Sequence, residues 1–186
     1  MNLVLQLWRG ARTRLSAWAA RRAARFSAQG GHHAERWLRL AARLAPAYGA
    51  VHRDLVAALR RAEDRLGAVE IARGVARRFD HSSEAWCLLG EALNGAFRPD
   101  EALVAFERAL AIEERPDAAM AAGDLYGRRG DYATAGARYA RAYAVGGGPD
   151  ALKANAKALR AAGDVAAAQQ AQDMWERETG KRWTAD

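Results

Sequence analysis

The feature that most constrains this chain is a self-similarity at a spacing of 33 residues. Residues 83–115 read SEAWCLLGEALNGAFRPDEALVAFERALAIEER, and residues 116–148 read PDAAMAAGDLYGRRGDYATAGARYARAYAVGGG. In this register Gly90 meets Gly123, Leu93 meets Tyr126, Ala102 meets Ala135, Phe106 meets Tyr139 and Ala109 meets Ala142. A period of that length marks stacked supersecondary units, each with an apolar face it cannot bury alone. The chain is rich in Ala, Leu and Arg, which are strong helix formers. Runs of Val, Ile and Thr that would mark strands are missing. Each unit therefore reads as two antiparallel helices. A Gly or Ala where they cross lets the backbones approach, and a large residue fills the space beside it. Gly130-Asp131 and Gly163-Asp164 fall where the turn within a pair belongs. Glycine can take the left-handed conformation that ends one helix, and aspartate can cap the next.

These positions resemble the tetratricopeptide repeat (TPR) family. Trp86, Leu89 and Gly90 supply its opening W-x-x-L-G, and Ala102, Phe106 and Ala109 its second-helix pattern. The resemblance implies an all-α, right-handed superhelical solenoid of about four to five helix-turn-helix repeats. The register extends to 149–182, where Leu159, Gly163, Val165 and Ala168 take the expected slots, Ala156 replaces the glycine and Gln172 the aromatic. It extends upstream to a degenerate unit at 49–82. There Leu55, Leu59, Ala68, Ala72 and Val75 take core slots, Glu63 and Asp64 take the turn slots, and the nearest glycine, Gly67, comes late. A further step gives 15–48, with Trp18, Ala34, Ala41 and Pro46 in register and Gly30-Gly31 as the turn. The expected organisation is a basic, apolar N-terminal extension over 1–14, two degenerate repeats over 15–82, two clear ones over 83–148, and a final repeat with capping helix over 149–186.

Charge is unevenly placed. The net charge is +7, yet residues 1–62 hold twelve arginines against Glu35 and Asp54. The rest carries 17 basic and 20 acidic side chains. Such asymmetry predicts an acidic partner for the first part, and it is equally the mark of an arginine-rich composition. Cys87 is the only cysteine, so no internal disulfide forms and a reducing compartment fits. The start, MNLVLQLWRGARTR, reads against a secretory signal, because its apolar stretch is short and interrupted by Gln6 and Arg9. No run is long and apolar enough for a transmembrane helix. The expected location is cytoplasmic, with peripheral attachment to the inner membrane face as an option.

Catalytic and metal patterns are missing. His32, His33, His52 and His81 lack the three- or four-residue spacings that gather ligands on one helix face. Cys87 has no visible His-carboxylate partners and reads as a small buried apolar residue. Gly146-Gly147-Gly148-Pro149 is preceded by no strand and followed by no GKS or GKT, so it reads as a break between repeats. The expectation is a non-enzymatic protein with no metal and no cofactor.

The family resemblance implies that positions two, five, nine and twelve of each first helix face a concave, partner-binding groove. These are Arg53 and Arg60, then Glu84, Cys87, Glu91 and Asn94, then Asp117, Met120 and Asp124, then Asp150, Lys153, Lys157 and Arg160. The expected groove is acidic in the middle and basic at its ends, suited to a protein or peptide of basic or mixed charge. Charged helix faces are also ordinary solvated surface. The Lys/Asn clamp with which some family members hold chaperone tails is not reproduced, since Arg53 and Ala57 stand at its first positions. A second docking element is Val4, Trp8, Arg9, Arg12 and Arg14, on or beside an apolar stripe that continues through Leu15 and Trp18. It predicts contact with a partner or an anionic membrane, or capping of the solenoid. The leading functional expectation is a scaffold or adaptor in assembly of a multiprotein complex. The alternative is membrane or nucleic-acid binding through the arginine-rich half, with lipid favoured because aromatics for base stacking are sparse there. Self-association, with the basic start of one copy in the acidic groove of another, is a further expectation.

Overall fold

The protein, a computed structural model, is described over residues 2–26, 31–45 and 49–184. The described residues form ten helices and no strand. They are α1 (Asn2–Phe26), α2 (Gly31–Leu44), α3 (Ala50–Arg61), α4 (Arg65–Arg78), α5 (Ser83–Gly95), α6 (Pro99–Ile112), α7 (Pro116–Arg128), α8 (Tyr132–Ala144), α9 (Gly148–Ala161) and α10 (Val165–Thr179). Within the units α1 packs on α2, α3 on α4, α7 on α8 and α9 on α10, in the register read from the sequence. The chain divides into two compact units, residues 1–102 and 103–186, and the division falls within α6.

In the first unit α1 runs unbroken past residue 14, so the expected extension and the first repeat helix are one element. It packs on α2 through Ala19 and Ala23, both buried. The Ser16 hydroxyl donates to the Ala41 carbonyl at 2.9 Å. Trp18 meets Trp37 edge to face at 5.1 Å, and the Arg22 guanidinium lies 5.7 Å from both ring centres. Leu55, Leu59, Ala68, Ala72 and Val75, placed in core slots by the register, are all buried, and Ala85, Leu88, Leu89 and Leu93 of α5 continue the core.

The second unit is built on small residues. Ala119, Ala142 and Ala151 form one buried cluster covered by Leu110, Met120 and Tyr143. Ala135, Tyr139 and Ala158 form another, covered by Met120, Tyr126 and Ala154. Pro116 and Pro149 sit in the first turns of α7 and α9, where a missing N–H has no cost. After α10, the Trp183 N–H donates to Glu176 at 2.7 Å, and the Trp183 ring meets Trp175 edge to face.

One turn recurs in four of the repeats. Glu63, Phe97, Gly130 and Gly163 all have positive φ, at 60°, 59°, 80° and 86°. In each, the N–H of the left-handed residue donates three residues back and the next N–H five residues back, as in Gly163 to Arg160 (3.1 Å) and Asp164 to Leu159 (3.0 Å). Asp131 and Asp164 then accept from the N–H groups of Thr134 and Ala167, capping α8 and α10. The late glycine of the degenerate repeat, Gly67, stands at the position that Thr134 and Ala167 hold in the later repeats. Asp64 caps α4 by accepting from the Gly67 N–H at 2.8 Å, and a Cβ on Gly67 would lie 2.1 Å from the carboxylate. Glu63 meanwhile holds the left-handed position that glycine holds elsewhere, at a strain of about 1–2 kcal/mol.

The crossing predicted at Gly123 is equally specific. A Cβ there would lie 2.6 Å from the ring of Tyr139. That ring is buried, and its hydroxyl donates to Asp124 at 2.7 Å. Overpacking costs about 1–3 kcal/mol, whereas Ala for Gly within a helix gains about 0.8–1.0 kcal/mol. Gly123→Ala should therefore lose about 1 kcal/mol in urea unfolding, and the loss should shrink or reverse in a Tyr139→Leu background.

Candidate partner-binding surface

The residues assigned to the groove lie on the first helix of each pair, at three- and four-residue spacings that make a stripe. In the first unit Arg53 and Arg60 on α3 are exposed, as are Glu84 and Glu91 on α5. Asn94 is half-buried and Cys87 is buried, so its thiol belongs to the core. Glu84 accepts from the Ser82 hydroxyl at 3.1 Å, the residue whose oxygen also caps α5.

In the second unit Asp117 and Asp124 on α7 are exposed, while Met120 between them is half-buried and packs on both core clusters. Both carboxylates are engaged. Asp124 accepts from Tyr139, and burial together with that hydrogen bond pushes the phenol well above its ordinary pKa. Asp117 accepts from Arg115 Nε at 3.0 Å and Nη2 at 2.8 Å, and from the Ala118 N–H at 2.9 Å. Partial burial opposes its charge, but the Arg115 and backbone hydrogen bonds outweigh that, so its pKa is held below the usual carboxylate value. On α9, Asp150, Lys157 and Arg160 are exposed. Arg160 donates to Gln172 at 3.1 Å, so the residue that replaces the aromatic still makes a cross-helix contact. Lys153 is half-buried, its ammonium 5.9 Å from the Trp175 ring centre. Both carboxylates of α7 are thus tied to neighbouring side chains.

Of the N-terminal docking residues, Arg14 is exposed, and Arg12 is half-buried and donates to the Arg43 carbonyl at 3.4 Å. The side chains of Val4, Trp8 and Arg9 lie outside the described residues. Arg78, which no sequence signal singled out, donates to the carbonyls of Ala42 (3.1 Å), Arg43 and Ala45. Two guanidinium groups therefore close the end of α2, where unsatisfied carbonyls and the helix dipole favour positive charge. Glu107 was equally invisible in sequence. It accepts two hydrogen bonds from Arg138, at 3.0 and 2.8 Å, and one from Tyr126 at 3.3 Å, joining α6, α7 and α8. Among the described residues no three His, Cys, Asp or Glu side chains converge as a metal site, and no helix is long and apolar enough to cross a membrane.

Solved structures align with about nine-tenths of this chain. The fold is that of the tetratricopeptide-repeat proteins. The crystal structure of MamA protein aligns with a TM-score of 0.73 and 18% identity, over 90% of this chain and 93% of that one. TTC0263, a thermophilic TPR protein from Thermus thermophilus, aligns with a TM-score of 0.60 and 17% identity, over 89% and 92%. YrrB, described as a TPR protein with an unusual peptide-binding site, aligns at 0.65 and 16%, over 88% and 86%. No protein-family model and no curated protein matches the sequence, so the likeness is one of fold. In TPR terms the degenerate 49–82 repeat has its core slots filled and keeps the shared turn, with Glu63 in the left-handed position.

The Asp117–Arg115 contact carries a pH dependence. Folded Asp117 releases its proton at lower pH than the unfolded chain, whose aspartates titrate near 3.9. Its contribution is complete above that value and is lost as pH falls through the lower folded value. The side chain is about half exposed, so the contribution stays under about 1 kcal/mol. Asp117→Asn should lower stability slightly at neutral pH, and chemical denaturation in acid should find the two proteins equal.

Proposed function

We propose that this chain is a non-enzymatic TPR scaffold that holds a protein or peptide partner and helps assemble a multiprotein complex. One observation carries the reading. Arg53, Arg60, Glu84 and Glu91 are charged and exposed on helices whose opposite faces build the core. Burial of those opposite faces fixes the direction of the stripe and turns its charged side chains to the surface. The peptide-binding site named for YrrB supports peptide capture as the mode. Among the acidic groove residues, Glu84 and Glu91 make the pair to test first. They stand two turns apart on one exposed face of α5, and changing them leaves the Tyr139–Asp124 and Arg115–Asp117 hydrogen bonds of α7 intact. A peptide with basic or mixed charge suits this surface, as electrostatic complementarity governs encounter rate and specificity.

Fluorescence anisotropy against a panel of labelled basic, mixed and acidic peptides tests this. Binding should favour basic and mixed peptides, weaken with salt, and fall at least about tenfold in Glu84→Lys/Glu91→Lys, a loss of about 1.4 kcal/mol. Equal binding by that variant removes the α5 face from the site.

A specific observation favours a second reading, attachment to an anionic membrane surface. On α1, Leu15 (51% exposed) and Trp18 (44%) stand with exposed Arg14 and Arg21. Basic amphipathic helices with exposed Trp and Leu partition to such interfaces. Vesicles containing phosphatidylglycerol should then co-sediment the protein at low salt, phosphatidylcholine vesicles should not, and Arg14→Glu/Arg21→Glu should release it. No co-sedimentation at low salt removes this reading.

A further inference from the structure

Unit 1 contains a cavity of about 240 Å³ away from the charged stripe, with α2 and α4 as walls and α3 as floor. Its floor is Leu55 and the His52 ring, both almost fully buried. Burial lowers the His52 pKa, so the imidazole is neutral at physiological pH and the floor is uncharged. Ala42, Ile71 and Val75 make the walls apolar. The rim is charged, and most of that charge is committed. Arg39 pairs with Glu35 at 2.7 Å. Arg78 is bound to the α2 carbonyls. That leaves the guanidinium of Arg43 and the carboxylate of Glu70 at the rim.

Gly74 is what keeps the cavity open. It lies inside α4, where glycine works against the helix. The matching positions of α8 and α10 in the repeat register hold Arg141 and Met174. A Cβ on Gly74 would touch nothing within 4 Å, so neither close packing nor a positive φ requires glycine there. An open space with an apolar floor and a cationic rim is a site for a ligand with both characters.

We propose that this cavity binds a carboxylate bearing a short apolar tail, the tail on Leu55 and Val75 and the carboxylate at Arg43. A monoanion fits better than a phosphate dianion. The rim offers one uncommitted guanidinium, Glu70 opposes a second negative charge, and a phosphate would leave the apolar floor uncovered. The same chemistry is available from a free short-chain acid and from the C-terminal residue of an apolar peptide. The site is independent of the α3 and α5 charged stripe.

Titration of the intact chain followed by amide NMR tests this, with hexanoate as the free acid, N-acetyl-leucine as the C-terminal residue, and hexanamide as the uncharged control. Hexanoate or N-acetyl-leucine should give saturable shifts centred on Ile71, Gly74 and Val75, and the stronger binder identifies the source. Hexanamide should bind at least tenfold more weakly. Arg43→Gln should weaken the acids by a similar factor. Gly74→Leu should abolish binding while unfolding at a higher temperature, because it fills the space and removes a helix-interior glycine. If Gly74→Leu fails to fold, Arg43→Gln decides, and acid binding undiminished in that variant overturns the proposal. Absence of saturable shifts with both acids overturns the proposal, and so does binding that survives in a folded Gly74→Leu variant or is equalled by hexanamide.

Discussion

The close approach of two helix backbones within each repeat is the constraint on which the rest of the structure depends. Two helices can lie this near only where the facing residue has little or no side chain, and each such residue needs a large neighbour to fill the space it leaves. Gly123 against the Tyr139 ring is the clearest case, with no room for even a methyl group. Fully buried alanines do the same at Ala41, Ala68, Ala102, Ala135 and Ala168. Once the crossing is set, the large residues that flank it are placed, and so is the stripe that faces away. The exposed positions of α5 and α7 owe their spacing to a core they do not enter.

The turn within each pair is the second constraint, and it shows how a repeat can degrade without losing its shape. Four turns share one left-handed residue and one hydrogen-bond pattern, yet only Gly130 and Gly163 use the residue that suits it. Glu63 and Phe97 take the same conformation with a side chain attached, which favours glycine by about 1–2 kcal/mol. Phe97 is also largely exposed, and the Arg65 guanidinium lies 4.7 Å from its ring centre. That contact covers one face of the ring and offsets part of the strain. The fold tolerates this because the helices on either side are held by many buried contacts, and those outweigh the strain of a single turn.

The fold was legible in the sequence because periodicity reports burial directly. Gly90, Gly123, Ala102, Ala135, Phe106 and Tyr139 recur at one spacing because one packing geometry recurs. The core of the degenerate 49–82 repeat was legible from Leu55, Leu59, Ala68 and Ala72 for the same reason. What could not be read was every contact made between positions without a fixed spacing. Arg78 reaching the carbonyls of α2, and Glu107 held by Arg138 and Tyr126, join helices through long side chains whose direction the register does not define. The cavity was hidden because an absent side chain leaves no pattern. Gly74 reads as a weak helix position until α2 and α3 are placed around it. The partners of Asp117 and Asp124 were hidden as well, since they come from a turn and a second helix.

The arginines of residues 1–62 show why a charge count is a poor guide to a binding surface. Arg39 is cancelled by Glu35, and Arg22 lies against two indole rings. Arg12 sits on the α2 terminus, where it is joined by Arg78 from α4. Carbonyl contacts do not remove a charge, and the negative end of a helix offsets only about half of one. The long-range field of this half therefore persists within the screening length of about 8–10 Å. Its capacity for new directed contacts is smaller, because those guanidinium groups are already oriented by the fold. Attraction can thus be general while recognition falls to side chains at the surface, among them Arg14 and Arg21 on α1, Arg43 near the end of α2 and Arg60 on α3. A partner drawn to this half by charge would still have to be selected by the shape of the surface those side chains occupy.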